Sequence, residues 1–175
     1  MVSILKVQDI KHTNDTSAMS IDASGRVLTP ARPAFSARGT GSWVDVADGN
    51  TIVIAASTAD INIGGHYNTS TYKFTAPVAG VYQFSAVVYI RNNGGSASDS
   101  GTYGYIKLQK NDSNIAAMEA IHGYLNNGDA DQTDSISGLV QLAVNDTVRL
   151  VLQSAGGGTS SYYGSNTSFH GFLVG

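Results

Sequence analysis

Four histidines, His12, His66, His122 and His170, are the side chains best suited to proton transfer or metal ligation near neutral pH, and they stand far apart in the chain. No H-E-x-x-H or H-x-H spacing joins any two of them, so each is expected at the surface or in packing. The chain has no cysteine, which excludes disulfides and thiolate metal sites. It has no G-x-S-x-G elbow, and Gly156-Gly157-Gly158 lacks the Lys-Ser/Thr that a phosphate loop requires. No motif singles out a carboxylate pair for glycoside hydrolysis. Asp129, Asp131 and Asp134 fall within six residues and offer the oxygen ligands that Ca²⁺ prefers. That loop lacks the glycine and the terminal glutamate of an EF-hand, and a solvated turn is the reading preferred. No other cofactor is expected.

The polar stretches that would carry any contact are long. Residues 91–103, 125–134 and 154–168 are rich in Gly, Ser, Asn and Tyr and exceed what simple connections need. Such a composition suits an adaptable binding surface, where rings supply area and small polar groups supply hydrogen bonds. Tyr103, Tyr162 and Tyr163 are the expected ligand contacts, with Asp129 and Asp131 beside them.

The elements that must position these loops are strands. The stretch Tyr67–Ile90 organises the chain. A short strand over 71–75 is broken by Pro77 and Gly80, and a longer one runs over 81–90. On it Tyr82, Phe84, Ala86, Val88 and Ile90 share one face, with Val81, Gln83, Ser85, Val87 and Tyr89 on the other. Neither face carries a charge, so cover is expected on both. Further strands are expected at 35–39, 43–46, 51–54, 105–109, 135–142, 147–153 and 169–174, and residues 115–124 read as either a strand or a helical turn, since their alanines divide the propensity. Trp43, the sole tryptophan, is expected to pack within the sandwich, with an exposed binding role as the second reading. Residues 55–65 read as a loop with Ile61 and Ile63 turned inward.

Composition agrees with an all-β chain. Glu119 is the only glutamate against twelve aspartates, which favours turns over helix interiors. Charged residues make up 13%, about half the usual share. The net charge of −3 leaves no basic surface for nucleic acid. No run approaches the ~18 apolar residues of a membrane helix, and the first fifteen residues lack the apolar core of a signal peptide. Synthesis without export is therefore expected. The five Asn-x-Ser/Thr sequons read as turn chemistry rather than glycan sites.

The pattern Tyr67-x4-Tyr72-x-Phe74-Thr75-x-Pro77-x-x-Gly80-x-Tyr82-x-Phe84 resembles the central signature of C1q-like domains, the trimeric jelly rolls related to tumour necrosis factor. Four further segments resemble the family's strands in the right order: 33–37, 106–115, 135–152 and 169–174. Asn145 stands where the family's turn usually has glycine, and Asn tolerates the left-handed conformation needed there. The resemblance spans about residues 33–175. It implies an antiparallel β-sandwich jelly roll that forms a homotrimer. Val87, Tyr89, Leu139 and Val151, on the strand face opposite the Phe84/Val88/Val140/Leu150 core, are expected at the three-fold interface.

Residues 1–32 are different in kind. They alternate weakly, form a small hairpin about residues 23–26, and end in a stiff join at Pro30 and Pro33. Ile4, Leu5, Val7, Ile10, Met19, Ile21 and Val27 are too few for a core of their own, so a partner is expected to cover them. This segment resembles the N-terminal segments of small C1q-like proteins in marine tailed-phage virions. That resemblance implies a non-enzymatic virion protein, synthesised in the host cytoplasm. It would be a short tail fibre or fibre tip, anchored to another virion protein through residues 1–32 and contacting a host surface glycan or protein. A trimeric capsid decoration protein is the alternative, and a small glycan-degrading enzyme a remote one. Neither nucleic acid nor membrane insertion is implied.

Overall fold

The computed structural model describes residues 6–93, 102–122 and 130–175. Among the described residues all regular structure is β, apart from one 3₁₀ turn at Gly164–Asn166. The strands are β1 (Asp9–Lys11), β2 (Ser17–Ile21), β3 (Val27–Leu28), β4 (Ala34–Arg38), β5 (Trp43–Val46), β6 (Thr51–Val53), β7 (Thr58–Ile63) and β8 (Tyr67–Asn68). They continue with β9 (Lys73–Thr75), β10 (Gly80–Asn93), β11 (Tyr103–Lys110), β12 (Ser113–His122), β13 (Ala130–Leu142), β14 (Thr147–Ala155), β15 (Thr159–Tyr163) and β16 (Ser168–Leu173).

Two antiparallel sheets make the jelly roll, and each is built about one long strand. In the first sheet β10 pairs along one edge with β13, from Gly80 opposite Leu142 to Asn92 opposite Ala130. Its other edge is shared by β16 and then β15. The sheet continues outward through β4 to β7 on one side and through β15 to β5 on the other. In the second sheet β14 pairs with β11 along one edge and with β9 and β6 along the other. Strand β12 extends that sheet beyond β11, and β8 extends it beyond β9.

Period-2 alternation decides which side chains fill the space between the sheets. Tyr82, Phe84, Ala86, Val88 and Ile90 of β10 are buried, as the alternation of the sequence requires. They meet Ile106, Leu108, Val148, Leu150 and Leu152 of the second sheet in one core. Phe35 bridges the layers: its ring stacks on Tyr67 at 4.6 Å and on Phe74 at 5.2 Å, both in the second sheet. It also meets Phe169 of its own sheet edge-on at 4.9 Å. The buried tyrosines keep their hydroxyls bonded, since an unpaired polar tip there is costly. Tyr67 Oη donates to the carbonyl of Ala56 at 2.9 Å and Tyr82 Oη to that of Val78 at 2.8 Å. Burial pushes the Tyr67 phenol well above its ordinary pKa.

The hairpin between β13 and β14 closes on Asn145 at φ +69°, the left-handed conformation expected of it. Asp146 holds that turn from beside it. Its carboxylate accepts from the Ala143 amide at 2.7 Å, from Asn111 Nδ2 at 2.7 Å and from Lys110 Nζ at 2.8 Å. Lys110 and Asn111 are the main reasons its pKa falls to about 2.

Several expectations are corrected. Residues 58–63 form edge strand β7, and Ile61 and Ile63 lie exposed rather than inward, because pairing with β4 places them level with Ser36 and Ala34 on the outer face. The strand expected over 71–75 is only β9, since Asn68 Oδ1 accepts the amides of Ser70 and Thr71 and bends the chain into a turn. Residues 159–163 of the expected third loop are strand β15, and 130–134 of the second begin β13, because the long edges of β10 recruit them. Residues 115–122, divided on propensity, are strand.

Residues 9–28 form a separate three-stranded sheet, β1-β2-β3. Its turn is set by Asp22, whose Oδ1 accepts the amides of Ser24 and Arg26, with Gly25 at φ +77°. No residue from 6 to 32 is buried.

Gly171 lies where a side chain would meet the aromatic core: a Cβ there would stand 2.6 Å from Phe84 Cδ1 and 2.7 Å from Phe35 Cε1. Gly171→Ala is expected to lower stability by about 1–3 kcal/mol, since packed rings yield only with strain. Urea denaturation of the two chains, followed by far-UV circular dichroism, measures it.

Candidate functional site: the two outer sheet faces

The core uses one face of each sheet, so any function lies on the two outer faces and at the ends. The outer face of the first sheet is built in rows, because antiparallel register brings alternate residues of neighbouring strands level. One row holds Leu139, Gln83, Phe172, Ala34 and Ile63. The next holds Ser137, Ser85, His170, Ser36 and Ile61. A third holds Ser135, Val87, Ser168 and Arg38. Beyond it Thr133 and Tyr89 lie level, with Tyr163 and Trp43 paired alongside. Leu139 is 62% exposed, Ile61 50% and Phe172 45%, and Val87 and Ile63 are exposed with them.

At the far end of this face the groups are polar and interlocked. Arg91 lies over the Trp43 ring at 4.3 Å and bonds Asp131 Oδ2 through Nη2 at 2.9 Å. Tyr89 Oη donates to the same carboxylate at 2.9 Å, which together with burial raises the phenol's pKa. Trp43 packs on Tyr89 at 5.4 Å and on Tyr163 at 5.3 Å. Trp43 therefore sits outside the sandwich, against the expectation of core packing, because β5 joins the sheet edge with Trp43 on its outer side and Val46 buried.

The outer face of the second sheet has a different chemistry. Lys107 is nearly buried, its Nζ 4.3 Å above the Tyr105 ring and 3.3 Å from Glu119. Tyr103 meets Tyr105 edge-on at 5.2 Å. Towards one end Lys73 and Arg149 both pair with Asp112, and Lys110 pairs with Asp146. Charges there compensate one another across strands, and the attraction of Lys73 holds the Asp112 carboxyl below its ordinary pKa.

The predicted site residues separate on this geometry. Val87, Tyr89 and Leu139 share the outer face of the first sheet as expected. Val151 does not join them: it lies on the outer side of the second sheet, level with Lys107 and Val53, and is 1% exposed under its neighbours. Alternation along β14 was read correctly, but the strand belongs to the opposite sheet. Tyr162 is a core residue at 2% exposure, its Oη accepting from the Ala55 amide at 3.2 Å. It is therefore withdrawn as a ligand contact, because β15 alternates and only Tyr163 turns outward. Tyr103 and Tyr163 are half-buried, and Asp131 is engaged by Arg91 and Tyr89. Asp129 lies outside the described residues, as do Ile4 and Leu5. Asp131 and Asp134 lie on strand β13 rather than in a loop, and among the described residues no three His, Asp or Glu side chains gather as a metal ion would require. Sequence reasoning missed Phe172, Ile61 and His170 on the first sheet's outer face. Alternation against Phe169 and Gly171 was the signal that could have found Phe172 and His170.

This is a two-sheet jelly roll whose first sheet presents apolar, serine–histidine and aromatic rows outward and whose second sheet carries cross-strand ion pairs. The chain belongs to the C1q domain family, whose model matches residues 34–174. Among solved structures it is similar to the globular domain of zebrafish complement 1qA protein, at 17% identity and a TM-score of 0.56, covering 82% of this chain and 98% of that one. It is also similar to the Eiger TNF from S. frugiperda, at 11% identity and a TM-score of 0.58, covering 83% and 94%.

The two tyrosines separate core from surface experimentally. Tyr162→Ala is expected to cost about 3–5 kcal/mol, as removal of a buried ring does. Tyr103→Ala is expected to cost about 1 kcal/mol or less. Thermal melts of the two variants beside the parent chain make the comparison.

Proposed function

We propose that this protein is a non-enzymatic, homotrimeric structural and adhesive module of a tailed-phage virion, most simply a short tail fibre or fibre tip. The observation that carries the assembly is the contrast between the two outer faces. On the second sheet the cross-strand ion pairs satisfy one another within one chain. On the first sheet Leu139, Phe172, Val87, Ile61 and Ile63, drawn from four strands, stand exposed on one face among Gln83, serines and His170, and large apolar side chains gathered on one face mark an interface. A closed three-fold arrangement buries that field on every chain with no free edge, in keeping with the family. The virion setting is supported by the resemblance of the N-terminal segment to those of phage C1q-like proteins.

Residues 1–32 are the anchor in this reading. Their small sheet buries nothing, and Ile10, Val27 and Leu28 stand exposed with Val7. Such a sheet needs a partner to become stable, and three of them on one trimer raise the effective concentration of each later contact. The jelly roll is the part presented to the host, with Tyr103 and Tyr163 as contact residues for a glycan or protein.

Sedimentation velocity of the full chain tests the assembly. Three chains per particle are expected, and Leu139→Glu with Phe172→Glu is expected to give a folded monomer. A parent chain that stays monomeric at micromolar concentration overturns the trimer. A variant beginning at Pro33 tests the anchor: it is expected to trimerise but to be absent from particles when it replaces the full chain. The copy number of the full chain per virion distinguishes a fibre, set by the tail, from a decoration protein, set by the shell.

A further inference from the structure

His170 occupies the middle of the apolar face of the first sheet. Phe172 lies on one side of it along β16 and Ser168 on the other. Across the strands it is level with Ser36 of β4 and Ser85 of β10. Its Nδ1 lies 3.0 Å from Ser36 Oγ. Beyond those neighbours the row continues to Ile61 of β7 and Ser137 of β13, both uncharged. The charged groups on adjoining positions of this face are Arg38 of β4 and Asp60 of β7, paired with each other at 3.1 Å. Among the described residues no carboxylate is bonded to His170, so none of them directly compensates a proton placed there. Arg38, two residues from Ser36, opposes one.

We propose that His170 is an acid-sensitive release point of the interface between copies of this chain: neutral, it allows the apolar rows to close on one another, and protonated, it forces them apart. This rests on the assembly proposed above. Burial already lowers the pKa of His170 in the single chain, and covering the face removes more water from it. The sign follows from linkage. A free chain takes up the proton only below the ordinary imidazole value of ~6.5, and the assembled chain resists to a lower pH still, so assembly is complete at neutral pH and is lost progressively as pH falls through the free chain's lowered pKa. Closure about a three-fold axis places three such groups on facing surfaces. A further depression of one unit in each changes the trimer association constant by about 10³. The concentration at half-assembly then rises by about 30-fold, the square root of that factor.

Sedimentation velocity of the full chain and of two variants, at about pH 8 and about pH 5, tests this. The parent chain is expected to be trimeric at the higher pH and to dissociate at the lower one, with its circular dichroism unchanged. His170→Gln, which keeps a hydrogen-bonding group towards Ser36 but never titrates, is expected to stay trimeric at both. His170→Arg is expected to be a folded monomer at both. A parent trimer that persists undiminished at the lower pH overturns the switch while leaving the assembly standing. So does a His170→Gln chain that dissociates with the parent's pH dependence, or a His170→Arg chain as trimeric as the parent. A parent chain monomeric at the higher pH overturns the assembly and the switch together.

Discussion

The rest of the structure depends on the aromatic contact between the two sheets. Phe35 stands on the first sheet and stacks on Tyr67 and Phe74 of the second, with Phe169 against its edge and Phe84 at 6.3 Å. Rings of this size bury more apolar area than any aliphatic residue and hold preferred relative orientations, so they set both the spacing and the registry of the layers. Gly171 gives up its side chain so that the rings of Phe35 and Phe84 can reach this arrangement. Once it is in place, strands β4, β10 and β16 must present their alternate residues outward. The chemistry of the outer face follows directly from the packing of the inner one.

That outward set is the distinctive surface of the first sheet. A small sandwich has few ways to make a specific surface without cavities. Here the surface is made by register, with side chains from five strands brought level in rows. Apolar, serine–histidine and aromatic rows succeed one another along the sheet, ending at the Arg91–Asp131 pair over Trp43. A face composed in this way suits contact with an equivalent face.

The N-terminal sheet follows the opposite logic. Its turns are well made, with Asp22 accepting two backbone amides and the Arg26 guanidinium, yet it encloses no core. Local hydrogen bonds give it shape, and only a partner can supply the burial that would give it stability.

Alternation by itself determined the inward face of β10 and the strands of the β13–β14 hairpin, while the jelly-roll class and the left-handed turn at Asn145 were legible only through the resemblance of the Tyr67–Phe84 pattern and its companion segments to C1q-like domains. The alternation rests on local geometry, the two-residue period of a strand, and the turn on the few residues that tolerate one. What alternation cannot contain is which strand lies beside which, because pairing is non-local. Val151 was placed on the correct side of its strand but in the wrong sheet. Tyr162 and Trp43 exchanged their expected roles, one going to the core and the other to the surface, once β15 and β5 joined the edge of the first sheet. His170 became the centre of an apolar face only when β4, β10 and β16 brought Ser36, Ser85 and His170 level. Tertiary structure decided those matters, because the energy of each placement comes from neighbours that are distant in sequence and meet only when the sheets close on the Phe35 stack.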